Sequence, residues 1–133
     1  MSTVQLASKG IAPGLTVNDM AASLRFYTEA LGFEIVSRDE ADGVLRFAML
    51  KAGDGYLGLG QDDFAKGRDR AKGVGLRFWL ETEQDLQALA DQIKAAGYAL
   101  DSDVQKLPWG PQGFAVTDPD GFKFTISEPQ NVA

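Results

Sequence analysis

The chain contains no cysteine and no histidine. Without cysteine it can form neither a disulfide nor a thiolate metal site, and it has no cysteine nucleophile. Without histidine it lacks the commonest metal ligand and the usual general base near neutral pH. These two absences exclude several familiar kinds of active site.

Basic residues and long apolar runs are also scarce. The 13 Lys and Arg residues are outnumbered by 19 Asp and Glu residues, which gives a net charge of −6. Nucleic-acid binding needs a basic face, so we expect no nucleic-acid partner. No apolar run approaches the roughly 20 residues that cross a membrane, and the N-terminus lacks a signal-peptide pattern. We therefore expect a cytoplasmic protein without membrane contact.

The length of the chain and its 44% hydrophobic residues predict a single globular domain, residues 1–133. The organising stretch is 113–127, in which two apolar-rich runs flank Asp118-Pro119-Asp120-Gly121. Proline, glycine and aspartate together predict a tight turn, and the runs on either side predict paired strands.

The pattern of elements occurs twice along the chain. In the first half we predict a strand at 11–17, a helix at 19–31 closed by Gly32, and strands at 33–37, 44–50 and 56–60. In the second half we predict a strand at 73–80, a helix opening at Thr82 or Glu83 and closed by Gly97, a strand at 98–100 and the hairpin. The chain therefore divides into two βαβββ modules, about 10–61 and 73–129, joined by a charged linker at 62–72.

Side chains alternate between the two faces of a strand, and this alternation predicts which residues face the helix of each module and which face away from it. Each helix must cover the apolar face of its own strands, so the opposite faces point together and enclose a cleft. Those faces carry small, polar and amphipathic side chains, among them Gly14, Thr16, Tyr56, Gly58 and Gly60 in the first module and Gly75, Arg77, Trp79, Lys123, Thr125 and Ser127 in the second.

Three motifs give the chain a family resemblance. Residues 15–27 (LTVNDMAASLRFY), Leu31-Gly32-Phe33 and Asp118-Pro119-Asp120-Gly121, in this order, resemble the vicinal oxygen chelate superfamily of glyoxalase I, bleomycin-resistance proteins and extradiol dioxygenases. The resemblance implies an α+β fold in which two βαβββ modules form a curved mixed sheet around a cleft. It also implies a homodimer.

Enzymes of that superfamily hold a divalent metal through His, Glu or Gln at four positions of the cleft. Carried over one at a time, these positions fall on Ala12, Gly58, Gly75 and Thr125. Alanine and glycine have no donor atom, and a threonine hydroxyl is a poor ligand for a transition metal. We therefore expect no metal and no other cofactor.

Small residues at these positions leave space for an organic ligand. We predict that the cleft is lined by Tyr56, Arg77, Trp79, Trp109, Phe47, Phe114, Lys123 and Thr125, and that the ligand is aromatic or cationic. Arg77 could pair with a carboxylate or phenolate of the ligand, or with an acidic partner at an interface. Trp79 is equally compatible with a core or dimer-interface position, Trp109 with a plug on a sheet end, and Phe47 with the core.

The function that follows is metal-independent binding and sequestration of a drug or metabolite, resembling that of bleomycin-resistance proteins. The alternative is an enzyme of the same superfamily (a lyase, isomerase or dioxygenase-like protein) working without the usual metal. Its acid–base residues would be Tyr56, Glu81 and Lys123. A third possibility is a regulatory or interaction module whose cleft is filled or closed.

Overall fold

The computed structural model describes residues 3–130. Residues 1–2 and 131–133 of the predicted single domain lie outside the described residues. Along the chain the elements are β1 (Gly14–Val17), α1 (Met20–Arg25) with a π-helical continuation (Phe26–Ala30), β2 (Glu34–Ala41), β3 (Val44–Ala52), β4 (Gly55–Gln61), β5 (Arg77–Glu81), α2 (Leu86–Ala95), β6 (Ser102–Lys106), β7 (Gln112–Thr117) and β8 (Lys123–Ser127).

Each half of the chain forms one mixed four-stranded sheet. The strand orders are β1-β4-β3-β2 and β5-β8-β7-β6. The first strand of each sheet runs parallel to the last, and the other neighbours are antiparallel. The two halves therefore share one topology, and the predicted α+β fold of two βαβββ modules is confirmed.

Both helices begin at an aspartate. The carboxylate of Asp19 accepts a hydrogen bond from the amide of Ala22, and that of Asp85 accepts one from Ala88. Such caps satisfy amides that have no partner inside the helix. The first helix matches its predicted range, whereas the second opens at Leu86, later than the predicted Thr82 or Glu83.

Three predicted strands are shorter in the structure or absent from it. The strand predicted at 11–17 begins only at Gly14. Residues 98–100 are not a strand, because the amide of Tyr98 closes the end of α2 on the carbonyl of Ile93, and its ring packs edge-on against Phe26. The strand predicted at 73–80 begins only at Arg77. Gly73 and Gly75 both have positive φ and form a turn there, which an extended strand cannot include.

The two modules share one hydrophobic core on the helix-covered faces of their sheets. The ring of Tyr27 from the first module meets that of Phe124 from the second at 5.8 Å, and Phe26 meets Tyr98 at 4.9 Å. Packing of helix-borne side chains across both halves leaves the opposite faces of the sheets outside the core. Within residues 3–130 no helix has the length and apolar character needed to cross a membrane.

Candidate functional site

The open faces of the two sheets are the sides that the helices do not cover. On the first module the open face carries Phe47, Met49, Tyr56 and Gly58, and on the second it carries Arg77, Trp79, Lys123 and Thr125, as the strand registers require. The predicted site residues other than Phe114 and Trp109 therefore lie on these faces. Trp109 reaches the second face from the loop between β6 and β7.

Phe114 is the exception, and its prediction as a cleft residue is wrong. It pairs directly with Ile126 and is fully buried in the core. Side chains of directly paired residues lie on the same face of a sheet. Because Ile126 belongs to the apolar face, the hairpin register implied by the Asp118–Gly121 turn already contained this information.

On the first module, Phe47 covers the position of the missing side chain at residue 58. A Cβ atom built on Gly58 would lie 2.9 Å from Cζ of Phe47 and 3.1 Å from Cε2. Phe47 is only partly buried, so its ring forms the surface of this face rather than the core. The space that we expected small residues to leave is thus partly filled here.

The four positions that the family resemblance assigns to metal ligands do not fit a divalent ion. Ala12 and Gly75 both lie outside the strands, have no donor atom and are exposed. Gly58 is covered by Phe47, and the hydroxyl of Thr125 is engaged by the guanidinium of Arg77. Nor do three or more acidic side chains converge on a metal-sized site anywhere in residues 3–130. The chemistry of these donors supports no step through a metal.

Two tryptophans meet at the open face of the second module. The ring centroids of Trp79 and Trp109 are 5.8 Å apart, and their planes are inclined by 37°. Trp79 is 69% exposed and Trp109 48%. We call these two residues the tryptophan pair. Each indole keeps free surface on which a flat ring could stack.

Tyr56 of the first module borders the same region. It lines, together with Trp79, an apolar pocket of about 220 Å³ between the modules whose walls include Ile11, Pro13 and Phe78. The ammonium group of Lys51 lies 5.7 Å from the centre of the Tyr56 ring. The structure therefore brings Tyr56 and Trp79 to one pocket from opposite halves of the chain.

Arg77, Thr125 and Lys123 lie on adjacent strands beside Trp79. Thr125 pairs with Trp79, and Lys123 pairs with Arg77. The Nη1 atom of Arg77 donates to Oγ1 of Thr125 at 3.1 Å, so the guanidinium leans toward the tryptophan. We call Arg77 and Lys123 the cation pair.

A buried contact that the sequence analysis missed joins the two modules. The hydroxyl of Tyr27 donates to Oδ2 of Asp118 at 2.7 Å, and both residues are buried. Burial, reinforced by the negative charge of Asp118, raises the pKa of Tyr27 far above its ordinary value. Burial also raises the pKa of Asp118, although hydrogen bonds from Tyr27 and from the backbone work against this rise.

The segment 62–72 also contains an ion pair that its composition did not reveal. Asp62 is buried and accepts from Nζ of Lys72 at 2.7 Å, while Arg70 lies at 3.3 Å. The hydrogen bond from Lys72 is the main reason that the pKa of Asp62 lies below its usual range. The signal was present in sequence as the spacing of opposite charges, but such spacing is common in exposed loops.

Two mixed sheets of identical topology with an open face on each define a glyoxalase-like fold. Residues 9–126 match the model of the Glyoxalase/Bleomycin resistance protein/Dioxygenase superfamily, and the chain belongs to that superfamily. The resemblance inferred from the three motifs is thereby confirmed. No curated protein sequence matches the chain closely enough to count as a relative.

Solved structures agree on the fold. TioX from Micromonospora sp. ML1 superposes with a TM-score of 0.73 at 21% identity, over 90% of this chain and 97% of that one. A glyoxalase-related enzyme from Fulvimarina pelagi gives 0.64 at 22% identity, over 90% and 87% of the chains. A glyoxalase/bleomycin resistance protein/dioxygenase from Nocardioides gives 0.66 at 18%, over 98% and 93%. At these identities the likeness concerns the fold alone.

Proposed function

We propose that this protein is a metal-independent small-molecule binding protein that takes up a flat organic ligand, a drug or a metabolite, on the open face of its second module. The observation that carries the proposal is the tryptophan pair. A 69% exposed Trp79 in contact with a 48% exposed Trp109 places a large apolar surface in water. Covering that surface with an aromatic ligand removes it from water and adds stacking.

The surroundings of the tryptophan pair have the composition of a ligand site. The neighbouring pocket, lined by Tyr56 and Trp79, has mostly apolar walls. Arg77 and Thr125 supply a few polar groups at its side. Small-molecule sites combine a mainly apolar lining with a small number of fixed polar groups.

Binding is favoured over acid–base catalysis by the placement of the candidate catalytic groups. A carboxylate oxygen of Glu81 accepts from the backbone amide of Gln130. In the described part of the chain, Glu81, Tyr56 and Lys123 share no hydrogen bond with one another. A general acid or base has to lie within hydrogen-bond reach of its proton, and coupled groups commonly lie within reach of each other.

We propose further that the protein works as a homodimer. The extended segment before β1 carries Val4, Leu6 and Ile11, which are 93%, 91% and 86% exposed. A second copy is the occupant that would cover them, as expected from the family resemblance. Light scattering should give the mass of two chains, and Val4→Asp combined with Leu6→Asp should shift it toward one. A mass of one chain for the wild-type protein would contradict this part of the proposal.

The ligand-binding proposal is tested first by native mass spectrometry of the purified protein, with metal analysis of the same sample. We expect each chain to bind one flat organic probe, and we expect a chelator to leave that binding unchanged. Since Trp79 and Trp109 are the two tryptophans in the sequence, intrinsic fluorescence reports the proposed site directly. Neutral N-phenyl-1-naphthylamine, anionic 8-anilinonaphthalene-1-sulfonate and cationic ethidium form a suitable panel.

The variant Trp79→Ala should lose saturable binding of every probe that the wild-type protein binds, whereas Phe64→Ala, a loop aromatic outside the site, should keep it. Phe64 lies against Arg68 in the segment 62–72. Stoichiometric metal that survives dialysis would contradict the proposal. So would a failure of all three probes to change the fluorescence.

A further inference from the structure

The cation pair is an unusual arrangement for this protein. Arg77 and Lys123 are directly opposite each other on parallel strands, and both are exposed on the open face. Like charges placed directly opposite each other destabilise a sheet. The sequence has six more acidic than basic residues, yet across residues 3–130 neither cation has a carboxylate within ion-pair distance.

The cation pair borders an open depression of about 510 Å³. Its walls contain no acidic side chain; they are formed by Lys72, Gly73, Val74, Gly75, Leu76, Arg77, Gly121 and Lys123. Lys72 is already neutralised by Asp62 at 2.7 Å. The positive charge of the depression therefore comes from Arg77 and Lys123.

The acidic groups near the cation pair accept hydrogen bonds from neutral partners and form no ion pair with Arg77 or Lys123. Glu81, two residues beyond Trp79, accepts from the amide of Gln130, and Asp101 accepts from the hydroxyl of Thr117, the β7 residue paired with Lys123. Thr125 holds one nitrogen of the Arg77 guanidinium at 3.1 Å. A guanidinium fixed at one nitrogen presents its remaining donors in a planar fork, which suits carboxylate or phosphate oxygens.

The position of the cation pair relative to the tryptophan pair sets the shape of the ligand. Arg77 and Trp79 are two residues apart on β5 and point to the same face. Their Cα atoms are thus about 7 Å apart along the strand. We propose that the bound ligand is an aromatic anion, with its ring on Trp79 and its carboxylate, sulfonate or phosphate group held by Arg77 and Lys123 about 7 Å away. This inference rests on the function proposed above and selects anionic over cationic or neutral ligands.

The test compares two probes of the same ring system. The probe 8-anilinonaphthalene-1-sulfonate carries a sulfonate, and N-phenyl-1-naphthylamine lacks it. Tryptophan quenching should show the anionic probe binding about tenfold more tightly to the wild-type protein, since its sulfonate would accept charge-assisted hydrogen bonds from Arg77 and Lys123. The advantage should shrink when salt is raised from 10 to 500 mM, because the cation pair is exposed.

Single substitutions separate the anion contacts from the aromatic surface. Arg77→Gln and Lys123→Gln should each remove most of the advantage of the anionic probe over the neutral probe. Arg38→Gln is the matched control, because Arg38 is an exposed arginine on β2 of the other module. It should leave both probes unchanged. Circular dichroism and the urea midpoint of each variant establish that it is folded.

The outcomes distinguish this inference from the proposed function. Equal affinity for both probes, or loss of both probes in folded Arg77→Gln, would overturn the aromatic-anion inference while small-molecule binding stands. Tighter binding of cationic ethidium than of the anionic probe would also overturn it. Binding of none of the probes would overturn both the inference and the proposed function.

Discussion

Phe47 and Gly58 lie on neighbouring strands and face the same way on the first module. The Phe47 ring lies where a side chain at residue 58 would begin, at 2.9 Å from the Cβ position. A longer side chain at position 58 would have to displace this ring. Glycine itself supplies no donor atom, so position 58 cannot ligate a metal through its side chain.

The first prediction concerns this contact. Gly58→Ala should lower the free energy of unfolding by no more than about 1 kcal/mol, because the added methyl overlaps the Phe47 ring, whose outer edge can move aside. In a Phe47→Leu background the same change should cost nothing or stabilise, since alanine is otherwise the better residue in a strand. Urea unfolding of the wild-type protein, the two single variants and the double variant measures the coupling between positions 47 and 58. An identical cost in both backgrounds would show that the overlap is not what opposes the methyl group.

The second prediction concerns Tyr27. Tyr27→Phe removes the hydroxyl that donates to buried Asp118 at 2.7 Å. The carboxylate loses a buried partner, so we expect the free energy of unfolding to fall by about 2 kcal/mol. Tyr56→Phe is the control, because Tyr56 is 42% exposed and outside the core. If both substitutions change the urea midpoint equally, the Tyr27–Asp118 hydrogen bond contributes nothing specific.

At the scale of elements, the β7–β8 hairpin was predictable and the segment 62–72 was not. The carboxylate of Asp118 accepts from the amides of Asp120 and Phe122, which are local contacts that turn chemistry anticipates. The conformation of segment 62–72 depends on the hydrogen bond between Asp62 and Lys72, which lies ten residues later in the sequence. The composition of that segment is the same whether the two side chains meet or remain in water.

The third prediction tests this ion pair. Lys72→Met leaves buried Asp62 without its closest cation, so the segment 62–72 should open more often and trypsin should cleave at Arg68 or Arg70 several-fold faster. Lys66→Met removes an exposed lysine from the same segment and should leave the cleavage rate at Arg68 and Arg70 unchanged. Equal rates in the wild-type protein and both variants would show that Lys72 does not hold the segment in place.

At the scale of the whole molecule, the modules are held together by contacts from α1 to the β7–β8 turn. Besides the Tyr27–Asp118 hydrogen bond, Asp120 accepts from the amide of Asn18 at 3.0 Å and from the hydroxyl of Ser23 at 3.3 Å. The family motif at 15–27 and the motif at 118–121 are therefore in direct contact. Their joint presence maintains the relative placement of the two open faces.

The fourth prediction is an alkaline effect of the same contact. The pKa of Tyr27 is raised in the folded protein by burial and by Asp118, whereas in the unfolded chain it is about 10. Above pH 10 the unfolded state therefore releases a proton that the folded state keeps, and stability falls as pH rises. The limiting slope for one such group is about 1.4 kcal/mol per pH unit.

Tyr27→Phe lacks this group, so its stability should fall less steeply than that of the wild-type protein between pH 10 and 11.5. Tyr56→Phe should follow the wild-type slope. Urea unfolding at four pH values within this interval measures the difference, and titration of lysines cancels in the comparison. Parallel curves for the wild-type protein and Tyr27→Phe would contradict the raised pKa.

The sequence by itself determined the repeated βαβββ order, the hairpin at Asp118–Gly121 and the absence of a side-chain donor atom from Ala12, Gly58 and Gly75. These features depend on alternation, turn chemistry and residue identity, which are local. It also pointed to Trp79 and Arg77, because alternation on one strand places both on the same face. It failed for Phe114, where the face had to be worked out from the pairing with Ile126.

Only the tertiary structure decided which side chains meet. The Trp79–Trp109 contact, the cover of Phe47 over Gly58 and the Tyr27–Asp118 hydrogen bond join residues that lie on different elements. The opposition of Arg77 and Lys123 depends on the register of two strands about 46 residues apart in sequence. A shift of one residue in that register would turn Lys123 to the other face and separate the two cations, so the aromatic-anion site follows from the packed sheet and not from composition.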